Sequence, residues 1–232
     1  MKLFCFTYAG GTTAFYDELK SRLAGQIEVI PLEYPGRATR KKEPFCKNIT
    51  ELAEDMLRQM ETDLMSEKPY ALMGYSMGSI VVFEILSILS RKPEIKISKP
   101  VHVFLAAHEP KTKREFSDRQ GKNEEQLIRE RMVLFGGIPE KLLHNETFWR
   151  IYMPMYRADF RMIWDYDFDA MKLREEIPAT IFFSETDTPR KEMIAWEKYF
   201  IGKNHYHAFD GNHFFIRKHI DVIAKIITDT LS

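Results

Sequence analysis

A chain of 232 residues has room for one large α/β domain or two small ones. Size scaling lets it bury roughly 70% of the surface that its unfolded form exposes, so a core needs no disulfide or metal. Lys+Arg and Asp+Glu number 34 each, for a formal net charge of +0, which argues against a nucleic-acid binder built on a global positive field. No apolar run approaches the roughly 20 residues of a membrane span. Met1-Lys2-Leu3-Phe4-Cys5-Phe6 runs straight into a turn with no small-residue cleavage site, so it does not read as a signal peptide. Cys5 and Cys46 form no CxxC and no metal-ligand spacing. Two cysteines in a chain of this size suggest a reducing compartment, and a cytoplasmic protein without metal is expected.

Residues 2–6 are a short apolar run ended by Ala9-Gly10-Gly11-Thr12-Thr13, the pattern of a buried strand entering a glycine turn. Phe15, Leu19 and Leu23 recur at helical spacing, and a second strand is predicted over 27–32, closed by Tyr34-Pro35-Gly36. From Ile49 the apolar residues fall at Leu52, Ala53, Met56, Leu57, Met60 and Leu64, an amphipathic helix that Asn48 or Thr50 could cap. Further strands are predicted at 70–73, 101–107, 180–183 and 206–209, with helices at 79–90 and at the C-terminus. The alternation implies a mostly parallel sheet covered on both faces. One stretch interrupts it. Residues from Glu109 to about Met171 contain no convincing strand, open with a charged segment at 111–125 and read as two or three helices around Phe135-Gly136-Gly137-Ile138-Pro139. So long a connection reads as an insertion, either a lid over a site at the strand ends or a surface subdomain.

Gly74-Tyr75-Ser76-Met77-Gly78 matches GxSxG between an apolar strand and an apolar helix. That context predicts the sharp turn that exposes a nucleophilic serine in α/β-hydrolases. Glycines two before and two after lack Cβ, so strand and helix can approach closely there. A serine hydroxyl needs a base, and of seven histidines His213 is the candidate, because it follows the last strand and precedes the last helix. His102 and His108 flank a strand and read as structural; His205 and His207 read as strand or surface residues; His144 and His219 read as solvated. In this fold the acid lies between serine and histidine in sequence. Asp187 fits, with Glu185 and Asp210 as alternatives. The oxyanion donors expected are the N–H of Met77, after the nucleophile, and one from the Tyr8-Ala9-Gly10-Gly11 loop, at Ala9. That loop lacks the GxGxxG and GK[ST] patterns of phosphate cradles.

Taken together the pieces resemble a type II thioesterase, the stand-alone α/β-hydrolase of nonribosomal peptide and polyketide synthesis. The resemblance runs over nearly the whole chain. It rests on Phe6-Thr7-Tyr8-Ala9-Gly10-Gly11, Pro35-Gly36-Arg37-Ala38-Thr39-Arg40, the serine turn, Gly136-Gly137-Ile138-Pro139, Pro154-Met155-Tyr156-Arg157-Ala158-Asp159-Phe160 and Gly211-Asn212-His213-Phe214-Phe215. Four positions depart from the family pattern: Thr7 for proline, Tyr75 for histidine, Ser184 for glycine and Asn212 for glycine. The resemblance implies a single α/β-hydrolase domain over 1–232 with a lid at about 109–171. It implies hydrolysis of acyl or aminoacyl thioesters from the phosphopantetheine arm of carrier domains in antibiotic biosynthesis, by a cofactor-free monomer. A carboxylesterase, a lipase, an acyl-CoA thioesterase or a noncatalytic hydrolase-fold binding protein are the alternatives. Among the apolar residues of the helical stretch, Met132, Phe135, Met155 and Phe160 are candidates to line an acyl channel, although they could equally be its own core. Arg37, Arg40, Lys41 and Lys42 form the nearest basic cluster for an acidic carrier surface.

Overall fold

The computed structural model describes residues 1–64, 68–92, 97–111, 123–171 and 173–232. Their strands β1 (Lys2–Phe6), β2 (Glu28–Pro31), β3 (Tyr70–Tyr75), β4 (His102–Ala106), β5 (Ala179–Ser184) and β6 (Asn204–Phe209) form one sheet in the order β2-β1-β3-β4-β5-β6, every pair parallel. The inner strands are apolar on both faces, as a sheet covered on both sides requires. Leu3, Cys5, Ala71, Met73, Phe104 and Phe182 point to the face covered by α1 (Asp17–Leu23) and α8 (Ile220–Leu231). Phe4, Phe6, Leu72, Val103, Leu105 and Ile181 point to the face covered by α2 (Ile49–Leu64) and α3 (Met77–Arg91). Asn48, rather than Thr50, caps α2: its side chain accepts the Glu51 N–H at 2.8 Å, while Glu51 accepts the Lys47 N–H at 2.9 Å.

Between β4 and β5 the chain forms α4 (Glu124–Phe135), α5 (Glu140–Leu143) and α6 (Glu146–Asp165). Asn123 and Asn145 cap α4 and α6, and Gly136 ends α4 in the left-handed conformation. The charged stretch expected at 111–125 lies in part outside the described residues. A short helix α7 (Arg190–Met193) follows β5.

The register brings the strand ends level. Phe6 pairs with Gly74, Tyr75 with Ala106, Ala106 with Phe182, and Ser184 with Phe209. The segments that follow therefore emerge along one edge of the sheet, the carboxyl edge where parallel α/β sheets place their sites. They carry Ala9, Ser76, His108, Asp187 and His213.

Ser76 has φ 55° and ψ −118°, a strained conformation for a residue with a side chain. The strain is held by close packing around two glycines. A Cβ on Gly74 would lie 2.3 Å from the Gly78 carbonyl oxygen, and one on Gly78 would lie 2.0 Å from that of Phe6. The obstacles are backbone and cannot swing away. The Gly78→Ala variant should lose about 1–3 kcal/mol or more of unfolding free energy in urea, because α3 has to back away from β1.

Candidate active site

Ser76 is 6% exposed and His213 4%. Asp187 Oδ2 lies 2.8 Å from His213 Nδ1, and His213 Nε2 lies 3.0 Å from Ser76 Oγ. A carboxylate only accepts, so Nδ1 carries the ring proton and Nε2 is left to accept from the serine hydroxyl. Asp187 thereby fixes the tautomer that makes Nε2 basic. The other two carboxylates are engaged elsewhere. Asp210 contacts Lys218 and His219, and Glu185 accepts the Arg190 N–H.

Three of the departures from the family pattern have visible roles. The Tyr75 hydroxyl donates to the His213 carbonyl at 2.6 Å, fixing the histidine's backbone from the residue beside the serine. Burial pushes that phenol well above its ordinary range, so it remains a donor. Ser184 donates to the Gly211 carbonyl, and Thr186 donates to the same oxygen at 2.7 Å. Two hydroxyls thus join the Asp187 turn to the His213 loop. Asn212 accepts the Phe214 N–H at 3.0 Å, closing an Asx turn around His213. Thr7 is buried, and its hydroxyl has no partner among the described residues.

Met77 is the first residue of α3, so its N–H is one of the donors that a helix start leaves without an internal partner. Ala9 borders the same cavity as Ser76. The next N–H, of Gly10, is already used: it donates to Asp159 Oδ2 at 2.7 Å. Gly10 has φ 80°, and a Cβ there would fall 2.1 Å from the Tyr156 ring. Asp159 also receives both Arg37 guanidinium nitrogens at 2.7 Å each, and Arg37 reaches the Gly11 carbonyl at 3.4 Å. A bidentate ion pair, 4% and 0% exposed, thus ties α6 to the glycine loop.

This corrects the basic cluster expected from sequence. Arg37 is interior, and Arg40 is held by Glu43 and Asp55. Only Lys41 and Lys42 of the four are exposed. The spacing had placed them in one loop but could not show that acidic partners neutralise its arginines.

A cavity of about 130 Å³ borders Ser76, Asp187 and His213. Phe135 and Phe160 line it as expected. The Phe135 ring stacks on the His213 imidazole, with centroids 4.0 Å apart and planes at 16°, and faces Phe160 behind it. Met132 and Met155 are not part of the lining; they are buried in the core between the helical segment and the sheet. Leu134, a further apolar residue of the helical stretch offered for the channel, borders the cavity too, and residues that the sequence reading missed add to its wall: Ala107, His108, Glu109, Lys111, Thr188, Ile163 and Trp164, with the exposed Arg131. His108 borders the cavity. It stands just past the carboxyl end of β4, and that position was the available signal. Burial pushes its imidazole down to about 4, so it is neutral at pH 7. Burial would raise the Glu109 carboxyl, but the ion pair with Lys111 helps to hold it below its ordinary value. Among the described residues no cluster of three His, Cys, Asp or Glu side chains could hold a metal ion. No described helix is long and apolar enough to cross a membrane.

A parallel sheet that presents a serine on a strained strand-to-helix turn, in hydrogen-bonded series with histidine and aspartate, defines a serine hydrolase of the α/β-hydrolase fold. The thioesterase-domain family model matches residues 1–231, and the chain belongs to that family. It is 27% identical over 221 residues to the S-acyl fatty acid synthase thioesterase, medium chain, of Rattus norvegicus, covering 94% of this chain and 82% of the relative. It is 30% identical over 234 residues to a probable cadicidin biosynthesis thioesterase of Streptomyces griseus, covering 100% of this chain and 62% of that protein. The solved structure of the type II thioesterase BorB from the borrelidin biosynthetic cluster matches with a TM-score of 0.79 at 28% identity, covering 100% of this chain and 92% of that one.

The ion pair beneath the glycine loop is testable. Asp159→Asn strands a buried guanidinium and should cost about 3–5 kcal/mol in urea unfolding. The double variant Arg37→Met, Asp159→Leu should regain most of that stability. It should still lose activity, because the Gly10 N–H loses its acceptor.

Proposed function

We propose that this thioesterase hydrolyses acyl or aminoacyl thioesters from the phosphopantetheine arm of carrier domains, clearing the arms of a nonribosomal peptide or polyketide synthase. Ser76 is the nucleophile, His213 the base and Asp187 its orienting acid. The N–H groups of Ala9 and Met77 receive the oxyanion, and Phe135 and Phe160 contact the acyl group. The single observation that carries the reading is the unbroken Asp187–His213–Ser76 hydrogen-bonded series opening into a partly apolar cavity. The names of the relatives, which are thioesterases of biosynthetic systems, supply the substrate class. All the proposed site residues come from one chain, so a monomer suffices, and two free cysteines fit a reducing cytoplasm.

The chemistry follows from the geometry. Ser76 Oγ attacks the thioester carbonyl while Nε2 takes its proton, and Asp187 stabilises the imidazolium. Collapse of the tetrahedral intermediate expels the thiolate, which takes the proton from Nε2 and leaves as the thiol, so the imidazole is a base again. The pKa of that thiol, about 8.5, is far below that of an amine, so it needs little help from an acid. Water, activated by the same nitrogen, then cleaves the acyl-serine ester. The helical segment from α4 to α6 acts as a lid: its Phe135 covers one face of the imidazole, and its Asp159 braces the loop that carries Ala9.

Ser76→Ala should lower turnover of an acyl-pantetheine thioester by on the order of 10⁶ and abolish fluorophosphonate labelling, with the urea midpoint nearly unchanged. Faster turnover of an oxygen ester than of its matched thioester would instead favour a carboxylesterase. Asp187→Asn should cost roughly 10⁴ in rate through the wrong imidazole tautomer. Asp210→Asn, measured in the same assay, should cost far less, since that carboxylate is occupied by Lys218 and His219.

A further inference from the structure

Three aromatic rings adjoin the His213 imidazole. Phe135 lies flat on one face, with centroids 4.0 Å apart. Phe214 meets the ring at right angles at 5.4 Å, and Tyr75 at 79° and 6.1 Å. Of the three, Phe135 alone comes from the helical segment between β4 and β5, where it is the last residue of α4. The two residues after it rest on the same loop. A Cβ on Gly137 would lie 2.2 Å from the Phe214 ring, and one on Gly136 would lie 2.6 Å from Asn212 Nδ2. Phe135, Gly136 and Gly137 are thus seated on Asn212, His213 and Phe214. Phe160 of α6 backs the Phe135 ring, nearly parallel to it at 13°.

The torsion that turns an imidazole about its Cβ–Cγ bond is soft. In the free enzyme both ring nitrogens are held, Nδ1 by Asp187 and Nε2 by Ser76. Acylation removes the second hold, because an esterified Oγ has no proton to donate. Deacylation nevertheless needs Nε2 in place. It must take a proton from water as the water oxygen bonds to the acyl carbon, and return it to Oγ as the Oγ–carbon bond breaks. We infer that Phe135 is a positioning residue for this half of the reaction: stacked on the imidazole, it keeps Nε2 directed at the acyl-serine after the serine hydroxyl is lost. The inference rests on the hydrolase reading above and gives Phe135 a task beyond contact with the acyl group. A flat stack restrains tilting of the ring without competing for either nitrogen. Because α4 carries that stack, the seating of the helical segment on the histidine loop matters more to deacylation than to acylation.

The test quenches wild type, Phe135→Leu, Phe135→Tyr and Phe135→Trp at steady state with saturating acetyl- or hexanoyl-pantetheine. A thiol of pKa about 8.5 leaves more readily than an alkoxide, so acyl-enzyme accumulates and intact mass counts it. The ratio of acylated to free enzyme, taken over fluorophosphonate-reactive sites so that misfolded protein does not enter, reports acylation against deacylation. In Phe135→Leu this ratio should rise about three- to tenfold, the equivalent of one aromatic stack, and equally for both chain lengths. At least one of the two flat-ring variants should restore the wild-type ratio. No rise in Phe135→Leu overturns the inference, as does a rise that neither Tyr nor Trp reverses. A change confined to the hexanoyl substrate also overturns it and leaves Phe135 as an acyl contact. In each of these cases the hydrolase reading stands. Failure of wild type to release thiol from either substrate would strike that reading, and the inference with it.

Discussion

The Arg37–Asp159 ion pair has no water to dissolve into, and that constraint organises the site. Asp159 sits on α6 and accepts from the Gly10 N–H as well as from both guanidinium nitrogens, while Arg37 also reaches the Gly11 carbonyl. Each charge is buried, so each needs the other in place, and a loop bound to both cannot drift without leaving a charge unsolvated. The glycine loop, the turn after β2 and the helical segment are thereby fixed to one another 122 residues apart in sequence. Such a pair contributes little net stability relative to an apolar replacement. Its contribution is position: it holds the glycine loop to the turn after β2 and to α6.

The sheet was legible because parallel strands buried on both faces leave short apolar runs, and runs at the six places expected became the six strands of the described sheet. The serine turn was legible because its glycines answer a local steric demand. Both are properties of neighbours in sequence. What could not be read was pairing across distance. Arg37 and Asp159 each stood inside a motif, yet nothing local says that one neutralises the other, and Arg37 read instead as a surface cation. Met132 and Met155 share the helical pattern of Phe135 and Phe160, and periodicity alone does not separate the side of a helix facing a cavity from the side facing the core. His108 was passed over for the same reason: its place beside the cavity comes from the strand end that it follows, not from its neighbours.

The departures from the family pattern are informative as a set. Ser184, which stands where the resemblance expects glycine, adds a hydroxyl that reaches the Gly211 carbonyl beside Thr186. The acid turn and the histidine loop are thus joined through a single oxygen. Asn212 stabilises that loop from within. The hydrogen bonds that hold Asp187 and His213 are thus made along the sheet edge, while the helical segment adds the Phe135 ring stacked on the imidazole.

Tyr75 adds to those sheet-edge contacts. It is covalently next to Ser76, and its hydroxyl holds the His213 carbonyl, so the spacing between serine and imidazole is measured by a ruler of one residue and one hydrogen bond. A side chain at position 75 too short to span that gap would leave the His213 carbonyl without this donor, and the ring would be held by Asp187 and the loop alone.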